Sequence, residues 1–203
     1  NNKIWILLLF LCIVLGIVYY NNNKYSKKQI LFKKTLEDMD DILVKNNIYY
    51  FLLCGTALGY HREKKFIEHD HDIDLGIFEK IYFQTIINIV NESNKFTFIT
   101  SYPSNNILTC TEVCFKHNET NIKIDIFKLY KKHKKYMMMA YDGKCSTKPK
   151  NRCEWLDPIN LINVNFLGRN YNVPDMKYII SHYGNDWNIP KIESYDNQKS
   201  IVN

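Results

Sequence analysis

Gly55-Thr-Ala-Leu-Gly-Tyr-His-Arg62, followed by Phe66-Ile-Glu-His-Asp-His-Asp-Ile-Asp-Leu-Gly76, is the stretch whose reading decides the fold. The apolar run Tyr49–Cys54 before it reads as a buried strand. Gly55 and Gly59 then bracket a tight turn and the start of a helix, where backbone N–H groups can face a phosphate. In the second half, Asp72 and Asp74 stand two residues apart, so on a strand they share one face while Ile73, Leu75 and Ile77 point into a core. Two carboxylates side by side repel each other unless a cation lies between them. Hard divalent ions such as Mg²⁺ take oxygen ligands of this kind and bridge them to phosphates. The competing reading is an acidic, solvated strand end, against which the glycine-rich turn just upstream argues.

Working outward, a second carboxylate falls in the alternating segment Ile122–Tyr130. There Ile122, Ile124 and Ile126 form one face and Lys123, Asp125 and Phe127 the other. Asp125 among β-branched residues is costly to bury without a partner, and a cation held by Asp72 and Asp74 would supply one. The alternative is an edge-strand charge facing water. Between these foci, Gln29–Asn47 carries apolar Ile30, Leu36, Met39, Leu43 and Val44 among charges and reads as an amphipathic helix. Tyr82–Val90 has helical spacing, and Phe96–Tyr102 and Ile107–Phe115 read as strands around the Pro103 turn. Lys131–Lys135 reads as a solvated turn and Phe166–Val173 as a small hairpin. Pro174 reads as the start of a helix that Gly184 ends.

With 203 residues, 46% hydrophobic and 14% aromatic, the chain can bury a core and is not a disordered segment. A net charge of +6 suits an anionic substrate or a membrane surface. No zinc-finger, RRM or basic-zipper pattern is present, so nucleic acid is not an expected partner. Ile4–Tyr20 runs without a charge, ends in Tyr19-Tyr20 and is followed by a polar Asn21–Asn23 exit. It reads as a retained transmembrane anchor over residues 1–24, ahead of a catalytic domain at 25–190 and a polar tail at 191–203. Lys24, Lys27, Lys28, Lys33 and Lys34 after the span favour a cytoplasmic domain. The sequons at Asn91 and Asn118 and the Cys145/Cys153 pair favour a lumen. The expectation is a single-pass membrane protein whose domain lies in the Golgi/ER lumen; Cys110/Cys114 is a second pair open to oxidation there.

Four motifs in order carry a resemblance: Gly55–Arg62, Ile67–Gly76, Lys123-Ile-Asp-Ile-Phe127 and Tyr183-Gly-Asn-Asp-Trp187-Asn-Ile-Pro190. Together they resemble the LicD family, which includes bacterial phosphocholine transferases, fukutin and the fukutin-related protein. The resemblance implies an α+β, nucleotidyltransferase-like fold: a mixed β-sheet flanked by helices, here preceded by the N-terminal transmembrane helix. It implies transfer of a phospho-alcohol from a CDP-activated donor, such as CDP-choline or CDP-ribitol, to a glycan hydroxyl. On the family pattern Asp72, Asp74 and Asp125 are the catalytic and Mg²⁺- or Mn²⁺-binding carboxylates. Gly55, Thr56, Gly59 and Arg62 fall on the substrate-binding turn and its phosphate-side basic residue. The family's Ile-Pro-Trp-Asp is here Ile67-Glu-His-Asp70, so the identity of donor and acceptor does not carry over. Two other readings use the same residues: nucleotidyl transfer from an NTP to a sugar or protein, and a membrane-tethered glycan-binding pseudoenzyme.

Overall fold

The computed structural model describes residues 5, 6, 10, 12–14, 26–102, 107, 110–132, 134–139, 153–156 and 159–191. Its first long element is helix α1 (Lys27–Lys45), capped by Ser26, whose hydroxyl accepts from the Gln29 N–H at 3.3 Å. The buried stripe is Phe32, Leu36, Met39, Ile42 and Leu43, whereas Ile30 and Val44 lie on the solvent side. Strand β1 (Phe51–Leu52) is short, because Cys54 already opens helix α2 (Cys54–Glu63). The predicted strand to Cys54 therefore ends early, and Gly55 is helical rather than part of a turn.

Strand β2 (Asp72–Phe78), helix α3 (Phe83–Glu92), β3 (Phe96–Tyr102), β4 (Glu112–His117) and β5 (Lys123–Lys132) follow. The sheet order is β1-β2-β5-β4-β3, with β6 (Lys135–Met139) and β7 (Cys153–Leu156) extending from β5. β2 and β5 are parallel, and the other pairings are antiparallel. β5 therefore lies inside the sheet, which removes the edge-strand reading of Asp125. The lysine-rich segment at 131–135 is the turn of the β5–β6 hairpin, Lys132 pairing with Lys135 and Lys131, Lys134 and Lys135 exposed. Ile73, Leu75, Ile77, Ile124, Ile126, Val113 and Phe115 are fully buried on one side of the sheet, as a period of two requires. Burying such side chains contributes about 1.5–3 kcal/mol each.

The second sheet is the hairpin β8 (Leu161–Phe166) and β9 (Arg169–Pro174), turning at Leu167 (φ 55°) and Gly168 (φ 98°). Two consecutive left-handed residues make the turn whose twist matches a two-residue hairpin. Pro174 closes β9 rather than starting the last helix. Asp175 caps helix α4 (Met176–Tyr183) by accepting from the Lys177 N–H at 3.0 Å, and Gly184 at φ 86° stops it.

The expected N-terminal transmembrane helix is corrected: among the described residues no helix is long and apolar enough to cross a membrane. The assignment as a single-pass protein with a luminal domain falls with it. Of the proposed span only Trp5, Ile6, Phe10, Cys12, Ile13 and Val14 belong to the described residues. Cys110 and Cys114 are free thiols rather than a disulfide. The Cys145/Cys153 pair lies outside the described side chains.

Candidate functional site

The site forms where α2 begins against the first residues of β2. The Leu53 N–H donates to the Asp74 carbonyl at 3.0 Å, which fixes the chain just before α2 to the strand. One turn on, Thr56 Oγ1 accepts from the Asp74 N–H at 2.9 Å, and the Gly55 N–H donates to Asp74 Oδ2 at 2.9 Å. A Cβ at Gly55 would collide with Asp70 Oδ2 and come within 3.2 Å of Asp74 Oδ2. Gly55 is therefore a glycine because carboxylates approach its backbone, and its N–H is directed at Asp74. Gly59 has a different duty: a Cβ there would stand 2.6 Å from the Lys65 carbonyl, so it permits the chain to double back toward β2.

Asp70, Asp72 and Asp74 each offer an oxygen, all within 4.8 Å of one another. Asp74 is 8% exposed. In the parallel register Asp74 faces Asp125, and Asp72 faces Lys123. Asp125 also faces Cys114 of β4, and Asp125, Cys114 and Glu112 form a second group whose ligand atoms lie within 4.8 Å of one another. The Cys114 thiol donates to Glu112 Oε1 at 3.5 Å. The structure thus places the three predicted carboxylates on one face but divides them, Asp72 and Asp74 grouping with Asp70 and Asp125 with Glu112 and Cys114.

Asp70, Glu112 and Cys114 were not among the site residues expected from the sequence. The D-x-D-x-D spacing was the available signal for Asp70. For Glu112 and Cys114 none existed, since their position depends on the β4–β5 register.

Electrostatics distinguish this cluster. Burial, then the neighbouring Asp72 charge, pushes the Asp70 carboxyl up to about 7, with the His71 N–H and the Lys28 ammonium opposing. Burial pushes Asp74 well above the usual carboxylate range, followed by the charges of Asp72, Asp70 and Asp125, with the Gly55 N–H opposing. Asp125 is pushed up to about 6, first by burial and then by Asp72, against the Cys114 thiol. Its Oδ1 is buried and has no hydrogen-bond partner. The crowded, all-oxygen set of Asp70, Asp72 and Asp74 fits a hard divalent cation.

The loop carrying Asp70 is tied to α1. Gln29 is 2% exposed; its Nε2 donates to the Phe66 carbonyl at 2.7 Å and its Oε1 accepts from the Phe66 N–H at 3.0 Å. The Lys28 ammonium donates to the carbonyls of Glu68 (2.5 Å) and Asp70. Arg62 does not join the carboxylates: Nε and Nη2 both engage Glu63 Oε1 at 3.0 Å. Tyr183 and Trp187, from the last motif, pack against the core as partly buried rings.

Comparison with known proteins finds a matching family model and several similar chains. The model of the family described as LicD/FKTN/FKRP, nucleotidyltransferase domain, matches residues 47–176. The chain is 24% identical over 192 residues to human ribitol-5-phosphate transferase FKTN, covering 91% of this chain and 39% of that protein. It is 26% identical over 171 residues to the uncharacterized protein T07A5.1 of Caenorhabditis elegans, covering 75% and 41%. The chain thus spans about two fifths of the length of these relatives. Among solved structures, the lincosamide antibiotic adenylyltransferase LnuA, lincomycin-bound, superposes with a TM-score of 0.48 at 13% identity, covering 74% of this chain and 80% of that one.

Proposed function

The chain belongs to the LicD/FKTN/FKRP family, and on that premise we propose that it is a metal-dependent LicD-type phosphotransferase. It moves a phospho-alcohol of the phosphocholine, ribitol phosphate or glycerol phosphate type from a CDP-activated donor to a glycan hydroxyl. The observation that carries this reading is the convergence of Asp70, Asp72 and Asp74 on one point, with Asp74 in register with Asp125. The human relative named as a ribitol-5-phosphate transferase supports the class of group transferred.

Asp72 and Asp74, joined by Asp70, would hold Mg²⁺ or Mn²⁺, which would supply positive charge to offset that of the phosphates. The other roles belong to the chain itself. The Gly55 N–H orients Asp74 Oδ2, and Thr56 Oγ1 fixes the backbone N–H of the same residue, so Asp74 presents its carboxylate in one pose. Asp125 is assigned as the acceptor of the proton of the attacking hydroxyl, its Oδ1 being buried and without a hydrogen-bond partner. The register of Asp74 with Asp125 supports that role. Gly59 lets the chain after α2 double back against the helix at Lys65 and Ile67, and Arg62 lends charge to the donor's phosphate side if its pairing with Glu63 opens.

The test is to incubate the chain with a panel of CDP-alcohols, Mn²⁺ and glycan acceptors and to follow CMP. CMP release that requires both metal and acceptor supports the reading. Pyrophosphate released from an NTP, with no CMP from any CDP-alcohol, would replace it with nucleotidyl transfer.

A further inference from the structure

One row of the sheet face carries Asp74 and Asp125, and the adjacent row carries Asp72 with two lysines. In that row Asp72 of β2 faces Lys123 of β5, and Lys123 in turn faces Lys116 of β4. The next row along reads Asp74, Asp125, Cys114. Register partners share a face with Cβ atoms roughly 4.5–5.5 Å apart, so Lys116 and Lys123 stand beside each other in the middle of the sheet. Like charges directly opposite are destabilising. Both side chains are exposed, although Glu112, Val113, Cys114, Phe115 and His117 on the same strand as Lys116 are buried. Neither ammonium has a hydrogen-bond or ion-pair partner among the described residues; Lys123 makes no such pair even with Asp72, its neighbour in register.

Other lysines near this end of the molecule are committed. Lys28 holds the loop carbonyls, Lys34 pairs with Asp38 and Glu119, and Lys95 pairs with Asp38. Lys116 and Lys123, without an ion pair among the described residues, thus lie in the row of Asp72, at the border of a carboxylate group that could hold a divalent cation, although the Lys123 charge also acts on Asp125. Charge balance is restored when a ligand with several negative charges lies across both rows. Arg62, the residue the family pattern would assign to this duty, is turned to Glu63.

We propose that Lys116 and Lys123 form an anion subsite that takes the diphosphate of the activated donor, beside the Asp70/Asp72/Asp74 cation site. This rests on the phosphotransferase reading for the identity of the ligand, but not for the existence of the subsite. The diphosphate spans from the carboxylate row to the lysine row, so its charge is met by metal on one side and ammonium on the other.

Binding of inorganic pyrophosphate to the full chain tests it, by titration calorimetry with and without Mn²⁺. K116Q and K123Q are each expected to weaken pyrophosphate binding about tenfold, the loss expected for one charge-assisted contact. K116R and K123R are expected to stay within about threefold of the parent, because Arg keeps the charge. K177Q, at an exposed lysine of α4, serves as the control and leaves binding unchanged. The melting temperature of the ligand-free K116Q and K123Q proteins stays the same or rises as repulsion is relieved. A merely solvating pair would change neither binding nor its salt dependence. Pyrophosphate binding equal to the parent in both Gln variants, or no binding by the parent, overturns the subsite. Lysine-dependent binding of pyrophosphate together with no CMP from any CDP-alcohol leaves the subsite standing and overturns the transfer reaction instead.

Discussion

Two acidic clusters in this protein have similar composition and opposite electrostatics. On α1, Glu37, Asp38, Asp40 and Asp41 are each answered by a cation. Asp38 receives Lys95 at 2.5 Å, Lys34 at 3.2 Å and His117 Nε2 at 3.0 Å. Arg169, reaching from the β8–β9 hairpin, meets Asp41 at 2.6 Å, Asp40 at 3.1 Å and Glu37 at 3.4 Å. Burial is the largest influence on Asp38 and pushes it up, yet the bonds from Lys95, Lys34 and His117 together hold it down at about 2. At the start of β2 the same residue type is crowded by its own kind, and Asp70, Asp74 and Asp125 are all raised. A carboxylate cluster supplied with protein cations acts as a fastener. One in which the carboxylates outweigh the nearby lysines keeps raised acids, and such a group could hold a cation from outside.

The largest expected effect breaks the second cluster. Asp74→Asn keeps the side-chain shape and an oxygen for the Gly55 N–H but removes the charge. Transfer should fall at least about a thousandfold, roughly 4 kcal/mol of barrier, while the metal-free fold melts at the same or a higher temperature. Activity within about tenfold of the parent would remove Asp74 from the cation site.

Stability against pH should separate the clusters next, with opposite signs. Asp70 and Asp125 have folded values above their unfolded ones, so the stability linked to them is fully present below about pH 4. It is lost as pH rises through about 6 to 7. Asp38 has a depressed folded value, so its contribution is present above about pH 4 and is lost as pH falls toward about 2. Chemical denaturation of the metal-free chain across this range should show both limbs. Saturating Mn²⁺ should flatten the upper limb and leave the lower one unchanged. An upper limb indifferent to metal would show that the carboxylates are not its ligands.

The smallest effect belongs to the fastener. Arg169→Ala leaves Glu37, Asp40 and Asp41 as neighbouring like charges and loosens the hairpin from α1. It should cost about 1–2 kcal/mol of stability and leave kcat within about twofold. A large loss of kcat with unchanged stability would mean that the hairpin serves the site directly.

Within these two clusters, what was legible in the sequence is what depends on neighbours along the chain. The alternation of Asp72, Asp74 and Ile73, Leu75, Ile77 defines a strand with one acidic and one apolar face. The same period of two in Ile122–Phe127 isolates Asp125 on the polar face. The end of the last helix at Gly184 is local in the same sense. The segment around Cys54 was misjudged because an apolar run carries no mark of where a strand stops and a buried helix begins. Period alone also placed Ile30 and Val44 inside, whereas the packing of α1 chose Phe32 and Ile42.

What only the tertiary structure decided concerns partners remote in sequence. Parallel pairing sets Asp74 rather than Asp72 opposite Asp125, and a slip of one residue would have put Asp125 on the wrong face. The antiparallel β4 register brings Cys114 and Glu112 beside Asp125 and Lys116 beside Lys123. Gln29 and Lys28 reach the Asp70 loop because α1 folds back over it. Gly55 is needed because two aspartates approach its backbone from across the chain, not because of its own turn. Hydrophobic periodicity is a property of a few consecutive residues, whereas register and counter-charge are set by which surfaces pack together. The residue types of this site could therefore be read along the chain, but their division into a cation site, an open carboxylate and a basic row could not.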